Sequence, residues 1–360
     1  MADAPTKPDA PTKPTKPYRA IGLHGVLVVA RQEFRTRVRT GRWKTLLAVW
    51  FVVLALITGA LSLGFADEEG WGVGVFVVLL SFVLLLTMVV SPALAAQTIN
   101  GDRERGTLAM LQITRLTPAE IAAGKLLAAW GAGLAVLVVT LPFILWPVLT
   151  GAVGVHSAVV SLVVTALLMG VVCAISQFFS AVVARGVTSM LLSYLTVFAL
   201  IFGTLILNAM AAVVSAELFK RSGEDHGGWT WWLLAPNPFV VLADATPSLP
   251  HEVNCEKFEG PVYDGPETSY AEREVCVRVG SDLDLFGDIS ETMREMRRGD
   301  DRDDYHESDS FAPGEEPGNP GPIWYYGLGF DLALAAGAFT VTVRRLRVPV
   351  EAVPRGVRIA

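Results

Sequence analysis

The stretch of residues 71–96, "WGVGVFVVLLSFVLLLTMVVSPALAA", decides the fold class of this chain. It contains no charged side chain over its whole length. An α-helix rises 1.5 Å per residue, so about 20 apolar residues cross the roughly 30 Å hydrocarbon core of a bilayer. Backbone groups in lipid must be bonded within their own segment, so a run of this length forms a helix. The stretch therefore predicts a membrane-spanning α-helix.

Five further runs of the same kind extend this prediction over the chain. Hydrophobic residues make up 52% of the 360 residues and charged residues 18%, whereas soluble domains carry about 25% charged residues. A large soluble helical core would show a charge at every third or fourth position, and these runs do not. The sequence thus predicts an all-α membrane protein with six transmembrane helices, approximately at 45–64, 71–96, 126–149, 158–184, 187–215 and 323–343.

Basic residues predict the orientation of these helices. Arginine and lysine concentrate ahead of the first run, between the second and third, at Arg185, and after the last run. The segment 217–322 holds 24 acidic and 9 basic residues, a net charge of −15 within a total of −6. By the positive-inside rule the basic sites are cytoplasmic. We therefore expect a multi-pass protein of the plasma (inner) membrane with both termini in the cytoplasm and the acidic segment outside.

The regions outside the apolar runs have distinct compositions. Leu23, Leu27 and Phe34 recur on one face of a segment whose arginines occupy another face, which predicts an amphipathic helix at the membrane interface. Along the chain, the sequence predicts a disordered Pro/Lys/Thr-rich tail at 1–18, followed by the amphipathic helix and five spans within 19–216. An extracytoplasmic segment follows at 217–321, with a re-entrant or interfacial helix near 229–246 and an acidic, partly disordered loop. The chain ends with the sixth span at 322–343 and a basic cytoplasmic tail at 344–360.

Two of the three cysteines fall in the predicted outer segment. Cys255 and Cys276 could form a disulfide there, because an oxidising compartment preserves such a bond. Cys173 lies within the fourth run, where a free thiol behaves as a small apolar residue. His251 and Cys255 lack the paired spacing of metal ligands, so no metal site is predicted.

Three polar residues within the apolar runs are candidate pathway residues. Asp331 lies well inside the sixth run, where a charge is expensive. It could line a transport path, pair with a cation, stay protonated, or make a structural hydrogen bond to another span. Gln177 and Asn208 could also line a path, although hydrogen bonds between helices are the simpler interpretation.

The charged stretch 101–125, "GDRERGTLAMLQITRLTPAEIAAGK", separates the second and third runs. Thr117 and Glu120 have the spacing of a capping box, with Pro118 at the first helical position. Ahead of them, Leu108 and Leu111 would lie on one side of a short helix. The pattern predicts a helical hairpin of defined shape, which indicates a binding partner on the cytoplasmic side.

At these residues the sequence resembles the ABC-2 family of transporter permeases. The likeness extends to six spans and to an amphipathic helix ahead of the first one. The matching features are Glu104, Gly106-Thr107, Leu108 with Leu111, the turn at 114–118, Gly124-Lys125 and Pro238-Phe239. The acidic outer segment is longer than is usual in the family, so the resemblance assigns it no role.

The resemblance implies an ABC-2 (type V exporter-like) architecture and a permease subunit that forms the membrane pathway of an exporter. A second copy or a related permease would complete the path, in contact with membrane lipid. An ABC ATPase subunit would bind ATP and magnesium, while this chain binds no cofactor and no nucleic acid. The implied ATPase-coupling residues are Glu104, Gly106, Thr107, Leu108, Leu111, Thr117, Pro118 and Glu120.

Motifs for chemistry are missing from the sequence. It has no G-x-x-x-x-G-K-[ST] motif, so ATP would bind another chain. The two histidine-glutamate pairs lack the second histidine of H-E-x-x-H, and no catalytic set emerges, so we expect a non-enzyme. The alternatives are a non-transporting membrane scaffold or sensor with an acidic extracytoplasmic binding loop, and an intramembrane enzyme, which the lack of paired catalytic residues disfavours.

Overall fold

Six helices in the computed structural model are long and apolar enough to cross a membrane, which confirms the predicted multi-pass helical class. The structure describes residues 22–39, 41–64, 71–106, 116–219, 230–246, 252–263, 268–279, 285–298, 310–311 and 321–347. The spans, first to sixth, are Trp43–Gly64, Trp71–Glu104, Pro118–Leu149, Val155–Val182, Gly186–Ser215 and Trp324–Leu346.

The helices are numbered here in chain order over the described residues. The fifth span is interrupted by a π-helical turn, and a compact group of short helices precedes the sixth span. The bounds are α1 Leu23–Val38, α2 Gly41–Gly64, α3 Trp71–Ala95, α4 Asn100–Glu104, α5 Pro118–Leu149, α6 Val155–Val182, α7 Gly186–Phe198, the π turn Ala199–Gly203, α8 Thr204–Phe219, α9 Trp231–Leu234, α10 Pro238–Ala245, α11 Leu285–Arg298 and α12 Trp324–Leu346.

The second and fourth spans form the centre of the bundle. In each of them 61% of the most apolar window is buried, against 11% in the first and fifth spans. Phe76, Leu80 and Leu84 of the second span pack with Leu168 and Val172 of the fourth. The first and fifth spans are therefore peripheral, and their exposed apolar faces are those that lipid or another subunit would cover.

Helix α1 packs against the start of the third span. Its Val26 and Val29 are buried, while Leu23 and Leu27 are exposed. A Cβ built on Gly124 would lie 2.6 Å from the Val29 Cβ, so only glycine permits this approach. A helix is thus present at the predicted position, but the side chains that it buries against protein are Val26 and Val29, whereas Leu23 and Leu27 of the predicted apolar face are exposed.

The π-helical turn in the fifth span fixes the position of the short helix α10. A π turn leaves a backbone carbonyl without its usual intrahelical partner. The Asn237 side chain donates to the Ile201 carbonyl oxygen (2.8 Å) and to the Thr204 hydroxyl (2.9 Å), and its own oxygen accepts from the Phe239 amide. Asn237 therefore caps α10 and attaches it to the fifth span.

A buried carboxylate joins three helices at the end of the bundle where the sixth span begins. Asp244 of α10 accepts from the Ser290 hydroxyl (3.1 Å) and from Arg294 Nε (2.9 Å), both on α11. Its second oxygen accepts from the backbone amides of Ile323 and Trp324, the latter at 2.8 Å. These amides have no partner within the helix, so Asp244 serves as the cap of the sixth span.

A strand pair lies between α10 and α11 and is an element that the sequence analysis did not predict. Strands β1 (Glu252–Tyr263) and β2 (Thr268–Val279) are antiparallel, and β3 (Ser310–Phe311) pairs with β2. The register places Cys255 directly opposite Cys276. The side chains of these strands lie outside the described residues, so the disulfide stays a prediction.

Other predictions also concern residues that the structure does not describe. They include the disordered tail at 1–18, most of the acidic loop at 299–320, and the basic tail beyond 347. Within 229–246, the predicted re-entrant or interfacial helix corresponds to α9 and α10. Helix α10 packs against α6, α11 and α12 and is largely buried.

Candidate functional site

The candidate site is the base of the hairpin between the second and third spans; the end of the bundle that carries it is called the hairpin side. Residues 107–115, including Thr107, Leu108 and Leu111, lie outside the described residues. The two arms of the hairpin, 101–106 and 116–125, are described.

The predicted capping box is present at the start of the third span. The Thr117 hydroxyl accepts from the Glu120 amide at 3.2 Å, and Glu120 Oε2 accepts from the Thr117 amide at 2.7 Å. Pro118 occupies the first helical position, where a backbone amide would have no partner within the helix, so its missing N–H costs no hydrogen bond. The hairpin therefore re-enters the bundle through a helix start whose amides are satisfied.

Glu120 has a second role that the sequence did not predict. Its other oxygen, Oε1, accepts from the backbone amide of Gly22 at 2.8 Å, where helix α1 begins. Helix α1 has no side-chain cap of its own. One carboxylate, 7% exposed, thus satisfies amides at the starts of two helices that are distant in sequence.

A buried ion pair lies one turn further along the third span. Lys125 is 1% exposed, and its Nζ lies 2.5 Å from Asp102 Oδ2 of α4 and 3.6 Å from Glu33 Oε2 of α1. A buried ammonium group requires such partners, because desolvation of an unpaired charge is prohibitive. Lys125 therefore joins α1, α4 and the third span at one point.

Two arginines extend this ion pair into a charged cluster. Arg105 Nη2 lies 3.0 Å from Asp102 Oδ1, and Arg37 Nη2 lies 3.3 Å from Glu33 Oε1. Arg37 also donates to the Leu94 carbonyl near the end of α3, at 3.0 Å. The cluster, named the base cluster from here on, comprises Glu33, Arg37, Asp102, Arg105 and Lys125.

Neutral hydrogen bonds attach the same turn to the fourth and fifth spans. The Ser180 hydroxyl accepts from the amides of Ile99 and Asn100, at 3.0 and 3.1 Å. The Ser189 hydroxyl donates to the Ala96 carbonyl at 2.9 Å. The chain that enters the hairpin is therefore held by the third, fourth and fifth spans, and through Lys125 by α1.

Of the predicted ATPase-coupling residues, the described ones differ in exposure. Glu104 and Gly106 are exposed, and Gly106 has a φ of 67°, which favours glycine. The Glu104 carboxylate lies near the start of the fifth span, 3.4 Å from the position of a Cβ on Gly186. Glu120 is instead buried, so its contribution to any docking would be indirect, and Thr117 and Pro118 are half-buried.

The three polar candidates within the spans are not members of the base cluster, and one of them links two spans. Gln177 Nε2 donates to the Ala122 carbonyl at 3.0 Å and so links the fourth span to the third. Asp331 is 1% exposed, and neither of its oxygens has a partner among the described residues. Asn208 Oδ1 is also buried, and it too has no hydrogen-bond partner among the residues that the structure describes.

Sequence reasoning missed the acidic members of the base cluster. A signal existed for Glu33, which is the only acidic residue of α1 and lies among arginines. Asp102 sits in "GDRERG", where nothing in the local sequence distinguishes it from Glu104. Both bind Lys125 across long stretches of chain, 92 positions for Glu33 and 23 for Asp102, and local patterns do not report such contacts.

No family model matches the chain, and no curated protein matches it either. What is known of this protein's function therefore rests on its own residues and geometry.

Proposed function

We propose that this chain is the permease subunit of an ATP-binding cassette exporter. In this proposal the hairpin 101–125 binds a separate ATPase subunit on the cytoplasmic side. The partner binds ATP and magnesium, and a second copy of this chain or a related permease completes the membrane pathway. The order of the hairpin motifs and the six spans support the proposal.

The observation that carries the proposal is the attachment of the hairpin base. Lys125, held by Asp102 and Glu33, joins both arms of the hairpin to helix α1. Glu120 joins the outgoing arm to the start of the same helix. A force on the hairpin tip would therefore move α1 and the second and third spans together, as coupling requires.

A loop whose only task is to connect two spans needs none of these features. Burying Lys125 and Asp102 carries a desolvation penalty that connection alone does not repay. A lever between an ATPase and the spans does need a stiff base, because a compliant base would absorb the motion. The base cluster supplies that stiffness.

The experiment is co-purification of an ATPase subunit with the chain from detergent-extracted native membranes. The test variant carries Glu104→Arg and Leu108→Asp in the hairpin. The matched control carries Glu295→Arg and Leu285→Asp, the same two changes on exposed positions of α11. We expect the ATPase subunit with the wild type and the control variant, and its loss from the hairpin variant.

Two results would contradict the proposal. One is the absence of any ATPase subunit from the wild-type preparation, which would favour a non-transporting scaffold or sensor. The other is equal recovery of the ATPase subunit with all three proteins, which would place the contact outside the hairpin.

A further inference from the structure

Four aromatic rings and one arginine form a cluster where the sixth span begins. Trp231 and Trp232 of α9 stack with ring centroids 4.0 Å apart, and Tyr326 of α12 meets them edge-on at 5.9 and 5.6 Å. Tyr325 lies against Tyr326 at 4.4 Å. The Arg297 guanidinium of α11 lies 5.8 Å from the Trp231 centroid and 5.6 Å from that of Tyr326. These five residues are called the arginine–aromatic cluster.

Contacts place this cluster at one boundary of the membrane. Tyr325 and Tyr326 belong to the first turn of the sixth span. The last residue of that span, Leu346, packs in one cluster with Ile99 beside the hairpin base. The first turn therefore lies at the opposite face of the membrane, where hydrocarbon meets head groups, the level that tryptophan and tyrosine favour. The ring contacts hold α9 and Arg297 at the same level.

Asp244 fixes the position of Arg297 relative to these rings. It accepts from the Trp324 amide at 2.8 Å and from Arg294 Nε at 2.9 Å. Arg294 precedes Arg297 by about one turn of α11. Helix α11 and the first turn of the sixth span are thus attached to one buried carboxylate. A binding group held on such rigid elements loses little conformational freedom when it binds.

Arg297 is the member of the cluster that can bind an anion. Its side chain is half-buried, and its Nη1 donates to the Gly321 carbonyl at 3.3 Å. Among the described residues no carboxylate lies within ion-pair distance of it, whereas Arg294 is paired with Asp244. A guanidinium has five N–H donors in a planar fork that matches two oxygens of a phosphate. The charge of Arg297 is thus left for an acceptor from outside the helix bundle.

The rings beside Arg297 are open to the surroundings of the protein. Trp232, Tyr325 and Tyr326 are 54, 45 and 38% exposed. At the first turn of a membrane span these surroundings are the lipid head groups, which lie directly outside the hydrocarbon core. The anionic group that every phospholipid carries there is its phosphate. The cation and the location of the cluster therefore favour the same occupant.

We propose that Arg297 binds the phosphate of a phospholipid in the leaflet opposite the hairpin side. The guanidinium, held over Trp231 and Tyr326, donates to two phosphate oxygens. The exposed rings of Trp232 and Tyr325 contact the glycerol region of the same lipid. The bound lipid joins α11 to the sixth span from outside, as Asp244 joins them from inside. This inference does not rest on the proposed permease function, and its test needs no ATPase subunit.

The test uses the full chain in nanodiscs with two photoactivatable probes that have the same acyl chains. One probe is phosphatidylglycerol with the photoactivatable group on its head group. The other is the corresponding diacylglycerol, which lacks the phosphate and carries the same group on its glycerol. Labelled peptides are mapped by mass spectrometry after pepsin digestion. The test variant is Arg297→Gln, and the control is Glu295→Gln, which changes one charge at an exposed position of the same helix.

We expect the phosphatidylglycerol probe to label residues 231–234 and 324–326 of the wild type and the control. Arg297→Gln should lower this labelling about tenfold, which corresponds to about 1.4 kcal/mol of binding free energy. The diacylglycerol probe should label these residues weakly and to the same extent in all three proteins. Tyr326→Leu, which removes one of the rings next to Arg297, repeats the test if Arg297→Gln does not purify as a folded protein.

Three results would overturn the proposal. Equal labelling of the wild type and Arg297→Gln by the phosphatidylglycerol probe would show that the arginine does not bind the phosphate. An equal loss with both probes would limit Arg297 to packing α11 against the rings. The third result concerns residues 300–309, which carry six acidic side chains. Labelling that appears only after a glycine-serine stretch of equal length replaces them would make this acidic segment the occupant.

Discussion

Lys125 Nζ lies 2.5 Å from Asp102 Oδ2, which joins the start of the third span to the turn that ends the second. Both residues are buried, at 1% and 7% exposure. The pair closes the hairpin at its base, so that its two arms cannot separate without exposing or unpairing a charge. Substitutions can test this closure, the attachment of α1 to the hairpin base, and the Asp244 cap at the opposite end of the bundle.

Replacing Lys125 with methionine should destabilise the fold strongly. The change keeps the length of the side chain but removes the cation shared by Asp102 and Glu33, which keep only Arg105 and Arg37, so we expect a loss of about 1.5–3 kcal/mol in unfolding free energy. Unfolding in mixed micelles measures the loss. The control Lys44→Met removes an exposed lysine and should change stability by less than about 0.5 kcal/mol. Equal effects of the two substitutions would show that the pair does not hold the hairpin base.

Replacing Glu120 with alanine should loosen two helix starts at once. The amides of Gly22 and Thr117 lose their acceptor, and each lost cap costs about 1 kcal/mol. Amide hydrogen exchange should therefore accelerate both near residue 22 and at residue 117. Thr117→Ala is the comparison, because it removes only the acceptor of the Glu120 amide and leaves the bond to Gly22. Unchanged exchange near residue 22 in Glu120→Ala would contradict the double cap.

Replacing Gly124 with alanine should displace helix α1. The new Cβ would lie 2.6 Å from the Val29 Cβ and 2.9 Å from the Val26 carbonyl oxygen, and such overpacking costs about 1–3 kcal/mol. Gly131→Ala is a control in the same helix, because its nearest neighbour, Phe34 Cδ2, is 3.9 Å away. That change should be neutral or stabilise by up to about 1 kcal/mol. The measurement is thermal unfolding of the purified variants, and a similar loss in both would exclude a specific contact with α1.

Replacing Asp244 with alanine should free the start of the sixth span. Arg294 loses its carboxylate partner, and the amides of Ile323 and Trp324 lose their acceptor. Removing one partner of a buried pair costs about 3–5 kcal/mol. Hydrogen exchange should accelerate at residues 323–324 and in α11, whereas Glu295→Gln, on an exposed face of α11, should leave both unchanged. Protection of residues 323–324 in Asp244→Ala would show that another group caps the span.

The sequence predicted the elements that depend on local patterns. Six spans follow from apolar length, and the capping box follows from the spacing of Thr117 and Glu120, because both signals lie within a few residues. The second oxygen of Glu120, which reaches Gly22, could not be predicted, since the two residues are 98 positions apart. The same applies to Asp244, whose partners lie 46 to 80 positions away. Both carboxylates are ordinary in the sequence, and only the packing of helices makes them caps.

The strand pair between α10 and α11 was missed for a different reason. Only the end of β2, with Val275, Val277 and Val279 at alternate positions, shows the apolar alternation of a half-buried strand, and the sequence analysis did not use it; β1, rich in glutamate, shows no sustained alternation. The opposing positions of Cys255 and Cys276 in the register agree with the disulfide expected from their location. That bond remains a prediction, which non-reducing mass mapping of the purified protein would check.

The most direct test of the central claim measures transmission from the hairpin to the spans. The purified complex of the chain with the proposed ATPase subunit is compared with and without ATP plus vanadate, by hydrogen exchange at residues 22–29 and 118–125. The account predicts that nucleotide changes the exchange of both segments together in the wild type. It predicts no such change in Lys125→Met, even where that variant still binds the ATPase subunit. Two results would contradict the account: hydrogen-exchange rates that are the same with and without nucleotide in the wild type, or an equal change of these rates in Lys125→Met.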